Sequence, residues 1–304
     1  MDPWIIGLVA VSAVLHLAWN VRLKTAGDPL RAATIGMLAA SVGIVPLGVA
    51  VWWVQGRVPL PVEGFVLGVA SGVVEAAYFI LLSAAYRRGD LSVVYPVTRG
   101  TAPLLAVLIG VLVLGERLGV AGSIGVVMLL AGFLVLQRPW RVLALARSGG
   151  GGAAGARKAA ADSAILFALA TGVMIATYSA IDTVGSRQMD VVVYAAILWA
   201  TCSVALVLWV ALVAGGDLLR YGPEAARRAA IGGWLTLAAY LCILVALSVA
   251  PLSGVAPLRE SATVFAAAWG SVRMGEASDR SETTRRIGAS VLIVGGALLL
   301  AVGS

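Results

Sequence analysis

The stretch GVLVLGE at residues 110–116 decides how this chain is organised, because it recurs 160 residues later as GSVRMGE at residues 270–276. Arg99 and Arg259 share that spacing. In the same order along the chain, Ala76-Ala77-Tyr78 matches Ala238-Ala239-Tyr240 at a spacing of 162, and Ala18-Trp19-Asn20 roughly matches Thr177-Tyr178-Ser179 at 159. Matches in order at nearly constant spacing predict an internal duplication.

The composition indicates a membrane protein. Of 304 residues, 61% are hydrophobic and 12% are charged, whereas about 25% are charged in a soluble domain, so a water-soluble globular protein is excluded. A membrane-spanning helix needs about 20 mostly apolar residues. Ten such segments are predicted, at residues 4–21, 32–54, 62–86, 91–114, 118–137, 163–184, 191–214, 229–249, 252–272 and 287–302. The fold class expected is therefore all-α integral membrane, with ten transmembrane helices.

A Gly-rich and basic segment divides these ten helices into five and five. Residues 138–162 hold the run SGGGGAAG at 148–155 and five basic residues, which is typical of a flexible cytoplasmic linker. It separates a first five-helix repeat, 1–137, from a second, 163–304. Because each repeat has an odd number of spans, the second is expected to be inverted relative to the first. Two inverted repeats around a central cavity are the architecture of alternating-access transporters.

The positions of Lys and Arg predict the orientation. Seventeen of the 22 basic residues fall in one alternate set of predicted loops, and the opposite set holds three, which are Arg57, Arg117 and Arg187. The positive-inside rule places the first set in the cytoplasm and both termini outside.

Other classes of protein find little support in the residues. The net charge of +7 comes from single charges between apolar runs, without the basic face that binds nucleic acid. Cys202, Cys242 and the single His16 offer no disulfide framework or metal-ligand spacing. The residues needed by an intramembrane protease and the phosphate-binding glycine loop of an ATP-driven pump are missing from the sequence. We therefore expect no enzyme, no cofactor and no metal. A channel, and a scaffold or lipid-handling protein, remain as alternatives.

Six ionisable residues inside predicted spans are candidates for a role, because charge there is costly unless it faces protein or water. They are His16, Glu75, Arg99, Asp182, Arg259 and Glu260. Arg99 and Arg259 enter from opposite faces and should both approach the midplane. Glu75 lies near the middle of its span, on the same helical face as Tyr78. The alternative is that Glu75–Arg99 and Glu260 with some partner are buried pairs that lock helices together. Asp182 ends its span, where it is expected to reach water.

A substrate site is predicted on the walls of the central cavity. Arg99 and Arg259 would contact an anionic group, with Glu75 within reach of one of them. The deeper aromatic residues would hold an apolar body, and they are Trp19, Tyr78, Tyr178 and Tyr240. His16 would either make an interhelical hydrogen bond or carry a proton. The prolines that recur in spans four and nine are predicted to bend those helices as gates, and they are Pro96, Pro103, Pro251 and Pro257.

The chain resembles the EamA-type exporters of the drug/metabolite transporter superfamily. The resemblance rests on Gly115-Glu116-Arg117-Leu118 after span four, Gly275-Glu276 after span nine, Tyr95-Pro96-Val97-Thr98-Arg99, and His16-Leu17-Ala18-Trp19-Asn20. It implies a multi-pass protein of the bacterial inner membrane that exports small metabolites, often amino acids. The partners expected are a small-molecule substrate and membrane lipid, with no nucleic acid and no obligate protein partner. A drug or a phosphorylated metabolite is the alternative substrate for the same fold.

Overall fold

The computed structural model describes residues 1–24, 26–88, 91–138, 140, 153–213, 221–260 and 280–303. Within these ranges the chain forms ten helices. They are α1 (Pro3–Lys24), α2 (Pro29–Val54), α3 (Val62–Arg88), α4 (Leu91–Leu112), α5 (Val120–Gln137), α6 (Ala153–Gly185), α7 (Val191–Leu212), α8 (Pro223–Val249), α9 (Leu252–Glu260) and α10 (Arg280–Gly303). The described residues are thus all-helical, as the sequence predicts.

Two aspartates fix where α2 and α7 begin. Asp28 Oδ1 accepts hydrogen bonds of 3.2 Å from the backbone N–H groups of Leu30 and Arg31. Asp190 Oδ1 does the same for Val192 and Val193, at 2.8 and 3.4 Å. Each carboxylate satisfies amides that the first turn of a helix leaves unpaired.

Several helices extend beyond the apolar windows that predict them. Helix α6 begins at Ala153 and α10 at Arg280, whereas their predicted spans begin at 163 and 287. The predicted linker, 138–162, is therefore helical from residue 153, and residues 141–152 lie outside the described part. Ala is the strongest helix former, and long basic side chains continue a helix into water at little cost. Hydropathy consequently locates the apolar middle of each helix rather than its end.

Among the described residues, six helices are long and apolar enough to cross a membrane, and they are the first three together with α6, α7 and α8. The apolar stretches of α4, α5 and α10 are shorter, over Val97–Leu112, Val120–Val135 and Ile287–Leu300. Large apolar side chains face outward along the bundle, among them Val42, Val73, Leu166, Val204 and Leu298, which are 52–76% exposed. An apolar outer surface of this extent is suited to lipid rather than water.

Helices before the predicted linker pack mainly on helices after it. The pairs α1–α8, α2–α7, α3–α6, α4–α9 and α5–α10 are all in contact, as are α2–α8, α3–α7 and α4–α6. Between α2 and α7, the hydroxyls of Ser41 and Ser203 lie 2.8 Å apart. Small residues allow such close approach of helices in a membrane.

The break between α8 and α9 corrects one predicted gate. Pro251 lies between the two helices rather than inside one, and its carbonyl accepts from the N–H groups of Gly254 and Val255 at 3.2 and 3.1 Å. Pro251 therefore immediately precedes α9, where proline's fixed φ and missing N–H are compatible with the start of a helix. Pro257 lies inside α9, and Pro96 and Pro103 fall within α4.

Candidate functional site

A continuous row of aromatic rings crosses the interior of the bundle. All four aromatic residues predicted for the site belong to it, together with His16. The ring centroids are separated by 5.0 Å for His16–Trp19, 6.2 Å for Trp19–Phe79, 4.9 Å for Phe79–Tyr78, 5.8 Å for Tyr78–Tyr178, 5.7 Å for Tyr178–Tyr240 and 5.8 Å for Tyr240–Trp199. Helices α1, α3, α6, α7 and α8 each contribute, so the row connects both parts of the chain.

The two predicted arginines are buried beside this row. Arg99 in α4 and Arg259 in α9 are each 4% exposed. Arg99 lies close enough to His16 and Tyr78 for electrostatic interaction. Arg259 lies close enough to three groups for electrostatic interaction, and they are His16, Glu75 and Asp182. Both arginines therefore lie in the same polar region of the bundle.

Glu75 is buried in α3, and one of its oxygens, Oε2, has no hydrogen-bond partner among the described residues. The indole N–H of Trp19 and the hydroxyl of Ser179 are likewise buried without a partner there. Buried polar atoms are normally hydrogen-bonded. A donor and an acceptor left unpaired near two arginines are therefore the features expected of a site that completes its bonds with a ligand.

Asp182 corrects the expectation that it reaches water, because the structure buries it completely. Its Oδ1 accepts a 2.8 Å hydrogen bond from the hydroxyl of Tyr194, and its Oδ2 accepts one from the hydroxyl of Tyr240. Helix α7 packs tightly over the end of α6, so that a Cβ on Gly185 would lie 2.4 Å from the Tyr194 ring. This packing covers a carboxylate that the sequence places at the end of an apolar run.

Sequence reasoning missed four residues of the site: Phe79, Asp182, Tyr194 and Trp199. Phe79 follows Tyr78 directly in the sequence, but the sequence does not show that its ring lies between those of Tyr78 and Trp19. Trp199 is fully buried against Tyr240. The side chain of Glu260 and residues 270–276 lie outside the described part of the chain.

A cavity of about 420 Å³ opens at the end of the bundle where α1 ends and α2 and α8 begin. Its lining includes Trp19 and Phe79 from the aromatic row, and Arg22, Tyr221 and Arg228 nearer the loops. The hydroxyl of Tyr221 donates a 2.9 Å bond to the carbonyl of Ala26. Partial burial, with the nearby charge of Asp28, raises the pKa of Tyr221. The cavity thus leads from one face of the bundle to the aromatic row.

Two charged side chains, one in the connection after α4 and one in the connection after α6, hold the opposite face at the α8–α9 break. The guanidinium of Arg187 donates to the carbonyls of Leu247 and Ala250, at 3.1 and 2.8 Å. The carboxylate of Glu116 accepts from the N–H groups of Leu252 and Ser253, at 2.5 and 2.9 Å, and from the Ser253 hydroxyl at 2.6 Å. A cation at the end of α8 and an anion at the start of α9 both match the helix dipoles.

Comparisons with known proteins agree with this architecture. One solved structure, described as "Crystal structure of protein", is 21% identical, has a TM-score of 0.67, and matches over 97% of this chain and 96% of its own. At that identity the likeness shows a shared fold along nearly the whole chain. No curated protein matches. Residues 2–138 match the model of the EamA-like transporter family. This part of the chain, somewhat less than half of it, is therefore similar to the EamA-like transporter family.

Proposed function

We propose that this protein is a secondary transporter or facilitator that exports small zwitterionic metabolites, in the first place aromatic and other apolar amino acids. The observation that carries the proposal is the pair of buried arginines, Arg99 and Arg259, beside a buried Glu75 and a continuous aromatic row. Charged groups of both signs next to an aromatic wall fit a ligand that has a carboxylate, an ammonium group and an apolar body.

Each group has a part in binding. Arg99 and Arg259 bind the substrate carboxylate or line its path, because guanidinium groups recognise carboxylates with several donors. The unpartnered oxygen of Glu75 accepts from the substrate ammonium or carries a proton. Tyr78, Tyr178 and Tyr240, with Trp19 and His16, surround the apolar body. With such a substrate, the proposed function resembles that of the aromatic amino-acid exporter YddG.

Alternating access through two inverted five-helix repeats is the mechanism we propose. Three features support it besides the sequence repeat. The capping aspartates Asp28 and Asp190 are 162 residues apart, as are the paired serines Ser41 and Ser203. The contacts α1–α8 and α3–α6 exchange when each helix is replaced by its counterpart five places along. These correspondences are what a two-fold axis in the membrane plane produces.

The cavity supplies the route from the cytoplasm. Arg22 and Arg228 at its mouth belong to the loop set that carries most of the basic residues, so the positive-inside rule assigns this face to the cytoplasm of a bacterial inner membrane. Its volume of about 420 Å³ lies within the range of small-molecule sites. The structure would then be an inward-open state, with gates at Pro96 and Pro103 in α4 and at Pro257 in α9.

The experiment is uptake of labelled amino acids into proteoliposomes, with and without a pH gradient. Arg99→Ala should abolish uptake of phenylalanine, because the carboxylate loses a buried cation. Arg57→Ala is the matched control, since Arg57 is an exposed arginine stacked on Trp53 and its loss should leave uptake unchanged. A dependence on the gradient indicates proton coupling, and independence of it indicates facilitation.

Two outcomes contradict the amino-acid proposal. If Arg99→Ala takes up every tested substrate at the wild-type rate, Arg99 is not part of the substrate site. Absence of uptake by the folded wild-type protein across the panel points instead to a drug or a phosphorylated metabolite. A scaffold or lipid-handling protein is indicated if no solute of any class is transported and substitutions of both arginines are tolerated.

A further inference from the structure

At the face opposite the cavity, one side chain joins the two parts of the chain. Glu116 follows α4, and its carboxylate accepts three hydrogen bonds from Leu252 and Ser253 at the start of α9, a separation of more than 130 residues. Hydrogen bonds to an ionised acceptor are roughly twice as strong as neutral ones. The carboxylate therefore forms a strong connection at a face where the described cavity does not open.

The chain after α4 is shaped to place this carboxylate. Gly115 has a positive φ of 66°, which other residues rarely adopt. The N–H of Glu116 then donates to the carbonyl of Gly110 at 2.9 Å. A Cβ on Gly110 would lie 2.4 Å from Glu116 Oε2 and 3.2 Å from the Ser253 nitrogen. Both glycines of the GVLVLGE stretch are thus explained by the position of Glu116 against α9.

The connection acts on the helix that carries a buried site residue. Helix α9 is held at Ser253, about 1.7 turns before Arg259 on the same helix. On the other side of the break, Arg187 holds the end of α8 through Leu247 and Ala250. The position of Arg259 relative to α4 thus depends on Glu116.

We propose that Glu116 is a latch that keeps this face closed while the opposite cavity is open, and that transport requires its release from Leu252 and Ser253. Interfaces between packed elements switch between discrete arrangements rather than deforming continuously. Opening of the closed face separates α4 from α9 and breaks all three hydrogen bonds together. Glu116 is in this sense a positioning residue for Arg259. The proposal rests on the proposed alternating access.

The first test requires no substrate. In a background with Cys202→Ala and Cys242→Ala, the reporter Ser186→Cys lies at the end of α6 on the latched face, where Ser186 is 2% exposed. A membrane-impermeant maleimide should label it at least about tenfold faster when Glu116→Ala or Glu116→Gln is added, because a bond to a charged group is lost. Equal labelling rates with and without these substitutions would overturn the latch.

Gln55→Ala is the matched control. The Gln55 amide donates a 3.0 Å bond to Asp190 on the same face, again between the two parts of the chain, but in an exposed position. Exposed pairs of this kind contribute little, so labelling should stay at the wild-type rate. Equal acceleration by Gln55→Ala would mean that any loosening of this face exposes residue 186, which also rejects a specific role for Glu116. Melting temperatures identify variants that fail to fold, and Glu116→Gln serves if Glu116→Ala is one of them.

The second test locks the latch. A short, reducible bifunctional thiol reagent is used to bridge Glu116→Cys to Ser253→Cys in the same background. Bridging should stop phenylalanine transport, leave phenylalanine binding from the cavity face intact, and be reversed by reduction. Continued transport by the bridged protein would overturn the proposal. If wild-type protein transports no phenylalanine, the proposed substrate fails, and the maleimide result alone decides whether the latch exists.

Discussion

Two buried carboxyl groups, Asp182 and Glu75, need hydrogen-bond partners from the protein or a ligand, because they are shielded from water. Asp182 satisfies both of its oxygens with the hydroxyls of Tyr194 and Tyr240, which come from two other helices. Oε2 of Glu75 has no hydrogen-bond partner within the part of the chain that the structure describes. Asp182 is thus bonded to Tyr240 of the aromatic row, whereas Glu75 is the carboxyl group that the proposed function assigns to a ligand.

Asp182→Ala should destabilise the protein by about 2 kcal/mol or more, because two buried tyrosine hydroxyls each lose their acceptor. Asp182→Asn should cost less, since the amide keeps one accepting oxygen. The measurement is thermal unfolding in detergent, with Glu63→Ala as the control, because Glu63 is an exposed residue in the first turn of α3. A melting temperature for Asp182→Ala equal to that of Glu63→Ala would show that the tyrosine bonds add nothing to stability.

At the level of helices, the sequence predicts their number and their apolar middles but not their ends. Hydropathy locates what lies in lipid, whereas α6 and α10 start earlier because alanines and basic residues extend a helix into water. The sequence matches select Tyr78, Tyr178 and Tyr240, and the structure places their rings next to one another. The burial of Asp182 could not be predicted, because it depends on how α7 turns back over the end of α6.

Close helix contacts give a prediction at this scale. A Cβ on Gly233 would lie 1.9 Å from the carbonyl oxygen of Gly36, whereas nothing lies within 4 Å of a Cβ on Gly232. Gly233→Ala should therefore force α2 and α8 apart beside the cavity and cost about 1–3 kcal/mol. Gly232→Ala should be neutral or slightly stabilising, since alanine favours a helix. Thermal unfolding compares the two, and equal melting temperatures would mean that α2 and α8 separate at no cost.

Over the whole molecule, stability depends on packing between the residues before the predicted linker and those after it. Among the described helices, the contacts of α1 with α8, α2 with α7 and α3 with α6 are extensive, whereas the interfaces within either part alone are small. The Glu116 connection and the Ser41–Ser203 pair also join one part to the other. In such an arrangement the contacts between helices, rather than the linker, hold the two parts together.

A cut in the linker should consequently leave the protein intact. A protease site inserted among residues 149–152 should allow cleavage in detergent without separating the fragments, because the described helices on the two sides of the linker pack on one another. Size-exclusion chromatography should show one species of unchanged size, with both fragments present on a denaturing gel. Residues 1–148 expressed alone should be degraded, and co-expression with the remainder should restore them, because each part exposes polar and small-residue faces that only the other covers. Fragments that separate after cleavage would show instead that the linker maintains the fold, and they would argue against a transporter whose site is built from both parts.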